Sequence, residues 1–345
     1  MAYSSARDCI VGQSPINTKL YDDILQRIFV FCLPVSDTSA PNESVLFICP
    51  TDQGPPFTFL FVCTRWRTLA LDTSPLWRNV QPPSLGTDAQ AFTSQAMSNQ
   101  LKSLGQWLTF SKNLPLSIKC ASPNHEFITS NPHINTIYQY ASFLLLDSLP
   151  NRHAKDILYH LMKEEERWIR FDVVFDHHLL NNFLSAPQFI KPLTYEVMAG
   201  KLTCLKISFE GMLSHMDISN MKQLYSWIKK LPSLRTLVIK DARLLGATHL
   251  FTDVIDSPFE KIPKIEFSRL WMSAENSTQL LSMCTYAQDV CLFGHNTHND
   301  IQEYHDIMSL CPLEAFAKMT CLSLHGIQFP TALLSHATFP VLEYL

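Results

Sequence analysis

Residues 59–77 read Phe-Leu-Phe-Val-Cys-Thr-Arg-Trp-Arg-Thr-Leu-Ala-Leu-Asp-Thr-Ser-Pro-Leu-Trp. Phe59, Val62, Cys63, Trp66, Leu69 and Ala70 recur at steps of three and one, the spacing of an apolar stripe on a helix. Ser74 and Pro75 then supply a capping serine and a proline at a first helical position, so a short third helix is expected. Upstream, Leu20, Ile24, Leu25, Ile28, Phe29 and Cys32 form a comparable stripe before Pro34. Three short helices bearing two tryptophans bury a modest fraction of their surface, so their large apolar side chains need a partner.

This pattern resembles the F-box, the adaptor-docking module of SCF-type ubiquitin ligases, and most of all its F-box-like branch abundant in fungi. Val62-Cys63-Thr64-Arg65-Trp66-Arg67, Ala70-Leu71 and Pro75-Leu76-Trp77 match that branch's second and third helices. At the first helix Tyr21 and Asp22 replace two prolines, and Asp23 stands where a glutamate is expected. Asp22 and Asp23 still suit the positive end of a helix. The resemblance implies a Skp-type adaptor as partner and, through it, a cullin. It divides Leu20, Ile24, Ile28, Phe29, Leu33, Cys63, Trp66, Leu76 and Trp77 between a small core and the adaptor contact. Arg65 and Arg67 then read as surface charges flanking a docking helix rather than as an RNA-stacking pair.

Composition limits the alternatives. The 345 residues suit about two domains, and 46% are hydrophobic, enough for a sizeable core. A net charge of −4 offers no basic footprint, so nucleic acid is not expected as the main ligand. Residues 1–14 read as a flexible N-terminus without the apolar core of a signal peptide. The longest wholly apolar runs, such as Val45–Cys49, are too short to span a bilayer, so no membrane partner is expected. Ten scattered cysteines fit a reducing cytoplasm or nucleus. The nine glycines never approach closer than Gly200 and Gly211, so no phosphate-cradling loop and no Gly-x-Ser-x-Gly elbow can be drawn. No catalytic residue and no cofactor is expected.

The organisation expected is α/β: a three-helix F-box over residues 15–80, interrupted by a loop insertion at 35–56, then a linker over 81–100 and an irregular leucine-rich-repeat solenoid over 101–345. The patch Val45–Cys49 inside the insertion reads as a loop-packing cluster or a contact site. The next ordered element is expected near Leu101. Strands are expected at Leu114–Ile118 and Trp168–Val173, and helices at Ile137–Leu149 and Asp156–Arg167. From residue 200 a Leu-x-x-Leu-x-Leu pattern repeats. It reads Leu202-Leu205-Ile207, Leu234-Leu237-Ile239, Ile262-Ile265-Phe267, Ala287-Val290-Leu292 and Met319-Leu322-Leu324. The copies start 32, 28, 25 and 32 residues apart, irregular members of a class that runs about 20–29 residues. Amphipathic spacing between them, as at Met221, Leu224, Tyr225 and Ile228, adds a helix to each strand. An ordinary α/β domain with parallel strands remains the alternative. A further copy begins near Phe339, so either a truncated reading frame or an edge covered by another part of the protein is expected.

Two side-chain clusters invite chemistry and fail on spacing. Cys284, Cys291, His295, His298, His305, Cys311, Cys321 and His325 are zinc-type ligands, but no Cys-x-x-Cys knuckle occurs, so no metal site is expected. Glu164-Glu165-Glu166 points around different sides of a helix end and reads as a solvated face. His177-His178 reads as a solvated turn.

The function that follows is a non-catalytic substrate receptor of an SCF-type cullin–RING ligase, docking the adaptor through the F-box and a target protein through the repeats. An adaptor-binding scaffold that does not direct ubiquitination is the rival, and a metal-dependent enzyme ranks last. Strand alternation places Cys204, Lys206 and Ser208, then Thr236, Val238 and Lys240, then Glu266, Phe293 and His325, on the face away from the repeated leucines. Lys206, Val238, Lys240, Glu266, Phe293 and His325 are the candidate target contacts, with Val238 and Phe293 as exposed apolar anchors. A one-residue slip would instead make those two core.

Overall fold

The structure, a computed structural model, describes residues 19–33, 54–82, 94–121, 149–185, 199–209, 218–240, 261–272, 286–296 and 318–325. It also describes single positions at 259, 280, 281, 283, 284, 341 and 343, except that residues 282 and 285 are excluded. The expectations for 1–14, for Val45–Cys49 and for a helix over 137–148 lie outside the described residues.

Asp22–Phe31 forms α1, Phe59–Val62 forms α2 and Thr64–Asp72 forms α3, followed by a 3₁₀ turn at Ser74–Trp77. Leu25 and Phe29, one turn apart, are the buried residues of α1. The stripe from Phe59 to Ala70 is two helices rather than one, because Cys63 is extended (φ −161°, ψ 170°) and caps α3. Its Sγ accepts the Trp66 N–H at 3.5 Å. The 3₁₀ turn is capped by Thr73 instead of Ser74, and the Thr73 hydroxyl donates to the Leu69 carbonyl at 2.6 Å. Pro75 sits in the first turn, where a missing N–H leaves nothing unpaired.

Among the described residues eight parallel strands make one sheet in strict chain order. They are β1 (Asn79–Val80), β2 (Leu116–Ala121), β3 (Trp168–Phe175), β4 (Cys204–Phe209), β5 (Thr236–Lys240), β6 (Lys264–Met272), β7 (Asp289–Asn296) and β8 (Cys321–His325). The described crossovers contain α4 (Ser94–Phe110), α5 (Leu149–Met162), α6 (His177–Leu184) and α7 (Ile218–Lys229). Right-handed crossovers that always advance in one direction put their helices on the same face of a sheet. Here each of α4 to α7 packs on the next.

The buried face is a set of rows. Val80, Ile118, Phe171, Leu205, Leu237, Ile265, Val290 and Leu322 stand side by side across the strands, and all are buried. A second row runs Cys120, Val173, Ile207, Ile239, Phe267, Leu292 and Leu324, with only the last left half-buried. Leu202, Leu234, Ile262, Ala287 and Met319, just before their strands, are buried as well. The spacing from residue 200 onward therefore places its apolar residues on one face.

Two boundaries differ from expectation. α4 begins at Ser94, inside the segment read as a linker. The units read as 15–80 and 101–345 also share one core, a cluster running without a break from Leu25 to Leu322. Trp77 makes the join. Its ring is fully buried edge-on to Trp107 with centroids 5.1 Å apart, and its indole N–H donates to the Ala70 carbonyl at 2.9 Å. The Trp107 indole N–H in turn donates to the Trp77 carbonyl. Three residues later Val80 enters the first row.

Trp77→Ala is expected to destabilise the whole chain by about 3–5 kcal/mol, because it opens a cavity and removes the indole N–H that the Ala70 carbonyl accepts. Chemical denaturation followed by far-UV circular dichroism measures this. A loss below about 1 kcal/mol would contradict the shared core.

Candidate functional site

The nine residues assigned to core or adaptor contact separate clearly. Phe29, Leu76 and Trp77 are 0%, 1% and 0% exposed, so they belong to the core and cannot be adaptor contacts. Cys63 is occupied as a helix cap. Trp66 is half-buried, tilted against Phe29 at 5.0 Å and edge-on to Phe59 at 6.2 Å. Leu20 and Leu33 lie half-buried against the core at either end of α1. Of the nine, Ile24 and Ile28 are left facing outward.

They do not stand alone. Tyr21, Ile24, Ile28 and Phe31 follow one another at steps of three, four and three, and all are exposed, Phe31 by 85%. A helix that turns Leu25 and Phe29 inward has no structural use for this second apolar stripe. Phe61 and Val62 on α2 extend the set, at 79% and 53% exposure. Sequence reasoning missed Tyr21, Phe31 and Phe61. The available signal was that a ten-residue helix carried two apolar stripes where the core requires one. Phe61 also forms a lip of a cleft of about 310 Å³ floored by Phe57, Trp77, Trp107 and Phe110.

The arginines are more than flanking charges. Arg65 donates to the Asp22 carboxylate from Nε at 3.0 Å and Nη2 at 2.5 Å, and to the Leu20 carbonyl at 2.6 Å. It thereby ties α3 to the positive end of α1, where Asp22 is already favoured. Arg67 donates from Nε to the Leu60 carbonyl at 2.8 Å and braces α2 against α3. Both contacts are solvent-accessible, so they set orientation more than stability.

The second surface is the sheet face opposite the buried rows. Lys119, Asp172, Lys206, Val238, Glu266, Cys291 and Ser323 form one row across it. Lys240 pairs with Ser268, and Phe293 pairs with His325. The one-residue slip is therefore not the arrangement found. Val238 nevertheless differs from expectation. It is only 7% exposed, held between Lys206 and Glu266 whose aliphatic stems can cover so short a side chain, and it cannot act as an exposed anchor. Phe293 is half-buried and stacks flat on His325, 4.5 Å between centroids and 5° between planes. Arg170 engages both oxygens of Asp172 at 3.1 and 3.0 Å, and Lys264 lies 3.6 Å from Asp289.

Burial is the leading cause of the shifts among the thiols. Burial pushes the Cys120 thiol up to about 12, with Asp176 adding to the effect, and raises Cys284 strongly. Cys284 donates to the Leu280 carbonyl at 3.3 Å. Cys291 is raised chiefly by burial, so these thiols stay protonated and unreactive. Among the described residues no three His, Cys, Asp or Glu side chains assemble as a metal shell, and His298, His305 and Cys311 lie outside those residues. No helix among the described residues is long and apolar enough to cross a membrane.

Two smaller expectations change. His177 and His178 open α6, whose cap Asp176 accepts the Leu179 N–H at 2.7 Å. Glu164 is a structural node and Glu165 is half-buried, so of the run read as a solvated face Glu166 alone is exposed. Glu164 accepts from Arg167 at 2.7 Å, and Arg167 also donates to the Ser111 hydroxyl at 2.6 Å and the Leu114 carbonyl at 3.1 Å. This stitches the end of α4 to the start of β3. Burial, with Glu166 beside it, raises the Glu165 carboxyl to about 7.

Glu165 therefore favours the folded state below its ordinary value near 4.5, and that advantage is lost as pH rises through about 7. Denaturation midpoints at pH 5 and pH 8 should fall more for the parent than for Glu165→Gln, and equal falls would contradict the assignment. Phe293→Ala should cost only about 0.5–1.5 kcal/mol, the worth of an aromatic pair, against about 3–5 kcal/mol for Phe267→Ala in the core. Similar losses for both would overturn the two-faced description of the sheet.

Comparison of the chain with protein-family models, with curated proteins and with solved structures gives no match.

Proposed function

We propose that this protein is a non-catalytic substrate receptor of an SCF-type cullin–RING ubiquitin ligase, with an F-box-like segment on α1 to the 3₁₀ turn and a leucine-rich-repeat-like body over the strands. The observation that carries the reading is the exposed stripe Tyr21, Ile24, Ile28 and Phe31, together with the exposed Phe61 and Val62 on α2. These side chains occur on the helices whose residues resemble a module that docks an adaptor, and a wet surface does not otherwise retain so many aromatics. The body is supported by eight strands in chain order, each described crossover carrying a helix, with repeat starts 25 to 32 residues apart.

Function then follows from proximity. The adaptor and cullin would hold a ubiquitin-loaded enzyme at one end while the open sheet face holds a target. The receptor raises the effective concentration of a target lysine and performs no chemistry itself. The cytoplasm or nucleus, where this machinery works, is the compartment proposed.

Phe31→Asp combined with Phe61→Asp tests the docking surface without touching the core, since both side chains are largely exposed. Copurification of the full chain with the adaptor should fall at least tenfold, about 1.4 kcal/mol, while stability changes by no more than about 0.5 kcal/mol. Undiminished capture by this variant, or no capture by the parent chain, would overturn the proposal.

A further inference from the structure

The open face of the sheet is electrostatically lopsided. Across β2 to β5 it carries Lys119, Arg170, Lys206 and Lys240 against the single carboxylate Asp172. Across β6 to β8 it carries Lys264 against Glu266 and Asp289. The first half is cationic in a chain whose net charge is −4, so the sign is a local feature and not a reflection of composition. Nor does Asp172 neutralise its neighbours. It is 7% exposed, and both its oxygens are taken by the Arg170 guanidinium. Lys119 and Lys206 stand on either side of that pair in the same row, and neither has an ion-pair partner among the described residues. Two half-exposed ammonium groups thus flank a carboxylate that is already satisfied, which leaves their field directed outward.

The other half of the face supplies an apolar feature. Phe293 and His325 stack at 4.5 Å, two residues along their strands from Cys291 and Ser323, which stand in the row of Lys119 and Lys206. Parallel strands lie about 4.8 Å apart, so Phe293 on β7 is about 14 Å from Lys206 on β4 and about 24 Å from Lys119 on β2, measured across the sheet. An extended chain advances about 3.3 Å per residue. A segment laid across the strands would therefore face Lys206 and the aromatic pair with side chains about four positions apart, an even step that keeps both on one side of an extended chain, with Lys119 met about two to four positions earlier.

We infer that the open face binds an acidic, extended segment of a protein target, its carboxylates over Lys119 and Lys206 on β2 to β4 and an apolar side chain against the Phe293–His325 pair. The inference deepens the receptor reading, on which it rests, by naming the chemistry of the target. Complementary charge sets the direction and register of the segment, and the aromatic pair supplies the anchor. Burial of Val238 between Lys206 and Glu266 keeps the middle of the face low, so a chain can cross it without a side chain blocking its path.

The test uses the full chain and a fluorescein-labelled peptide Ser-Glu-Ser-Glu-Ser-Ser-Ser-Phe-Ser, followed by anisotropy. The expected result is binding that weakens as salt rises from about 50 to about 300 mM, as the Debye length shortens. A peptide with lysine replacing glutamate should not bind. Lys119→Glu combined with Lys206→Glu should weaken capture at least tenfold with an unchanged melting curve, and the same variant should still copurify with the adaptor. Equal affinity of the double variant for the acidic peptide would overturn the inference. So would an oligothymidylate that binds as tightly as the peptide and displaces it, which would mark the face as a nucleic-acid surface. If the parent chain binds the peptide but not the adaptor, the receptor reading fails while the assignment of this face stands.

Discussion

Trp77 is the side chain on which the arrangement depends. Its ring packs against Trp107 at 5.1 Å, Phe110 at 5.1 Å and Phe57 at 5.8 Å, so residues from α4 and from the segment before α2 close over it. A buried indole N–H left unpaired, as at Trp168, costs free energy, and both indoles of this join are paired. Trp77 donates to Ala70 at the end of α3, and Trp107 donates to the Trp77 backbone. The same short stretch then enters the sheet through Val80, and the Ser117 N–H of β2 donates to the Arg78 carbonyl at 3.0 Å. The exposed stripe of α1 and the open face of the sheet are consequently two surfaces of one packed body. On the proposed reading that rigidity is functional, because a receptor raises effective concentration only when its two docking surfaces hold a fixed separation.

The sheet is stabilised by repetition along its width. No strand–helix unit encloses its own apolar residues; Leu205 is covered by Phe171 on one side and Leu237 on the other, and each row continues this way. Entry to the strands repeats too. The Thr203 N–H donates to the Ile169 carbonyl, Lys264 to Arg235, Gln288 to Pro263 and Thr320 to Gln288, all between 2.8 and 3.0 Å. The Glu343 N–H donates to the Thr320 carbonyl at 2.9 Å, as the Thr320 N–H does to Gln288 one unit earlier. With one face consumed by these rows, the alternating residues of the other face carry charge and aromatic character freely. That is why chemistry concentrates there and the thiols of the buried face are inert.

Much of this was legible in the sequence and the remainder was hidden for identifiable reasons. The rows through Leu205 to Leu322 could be read because each copy keeps apolar residues at steps of three and two, and parity then assigns Lys206, Glu266 and Phe293 to the opposite face. The same steps occur at Trp168, Phe171 and Val173, but aromatic residues there disguise the pattern, and a register shift between Leu116 and Ser117 obscures it in β2. Periodicity could not detect the break at Cys63, since the apolar stripe passes through it unchanged. Nor could it divide Phe29, Leu76 and Trp77 from Ile24 and Ile28, because interior and interface demand the same residue types. Burial of Val238 is a tertiary effect of the residues standing beside it in register.

A core shared through Trp77 requires that α1 to the 3₁₀ turn and the sheet unfold as one unit. Native-state hydrogen exchange in increasing denaturant reads this amide by amide. The Thr73 and Leu76 amides beside Trp77 and the Ser117 amide of β2 should converge on a single opening free energy and a single denaturant dependence. If Thr73 and Leu76 instead open at a distinctly lower free energy while Ser117 remains protected, α1 to the 3₁₀ turn is an independent module and the shared core through Trp77 is wrong.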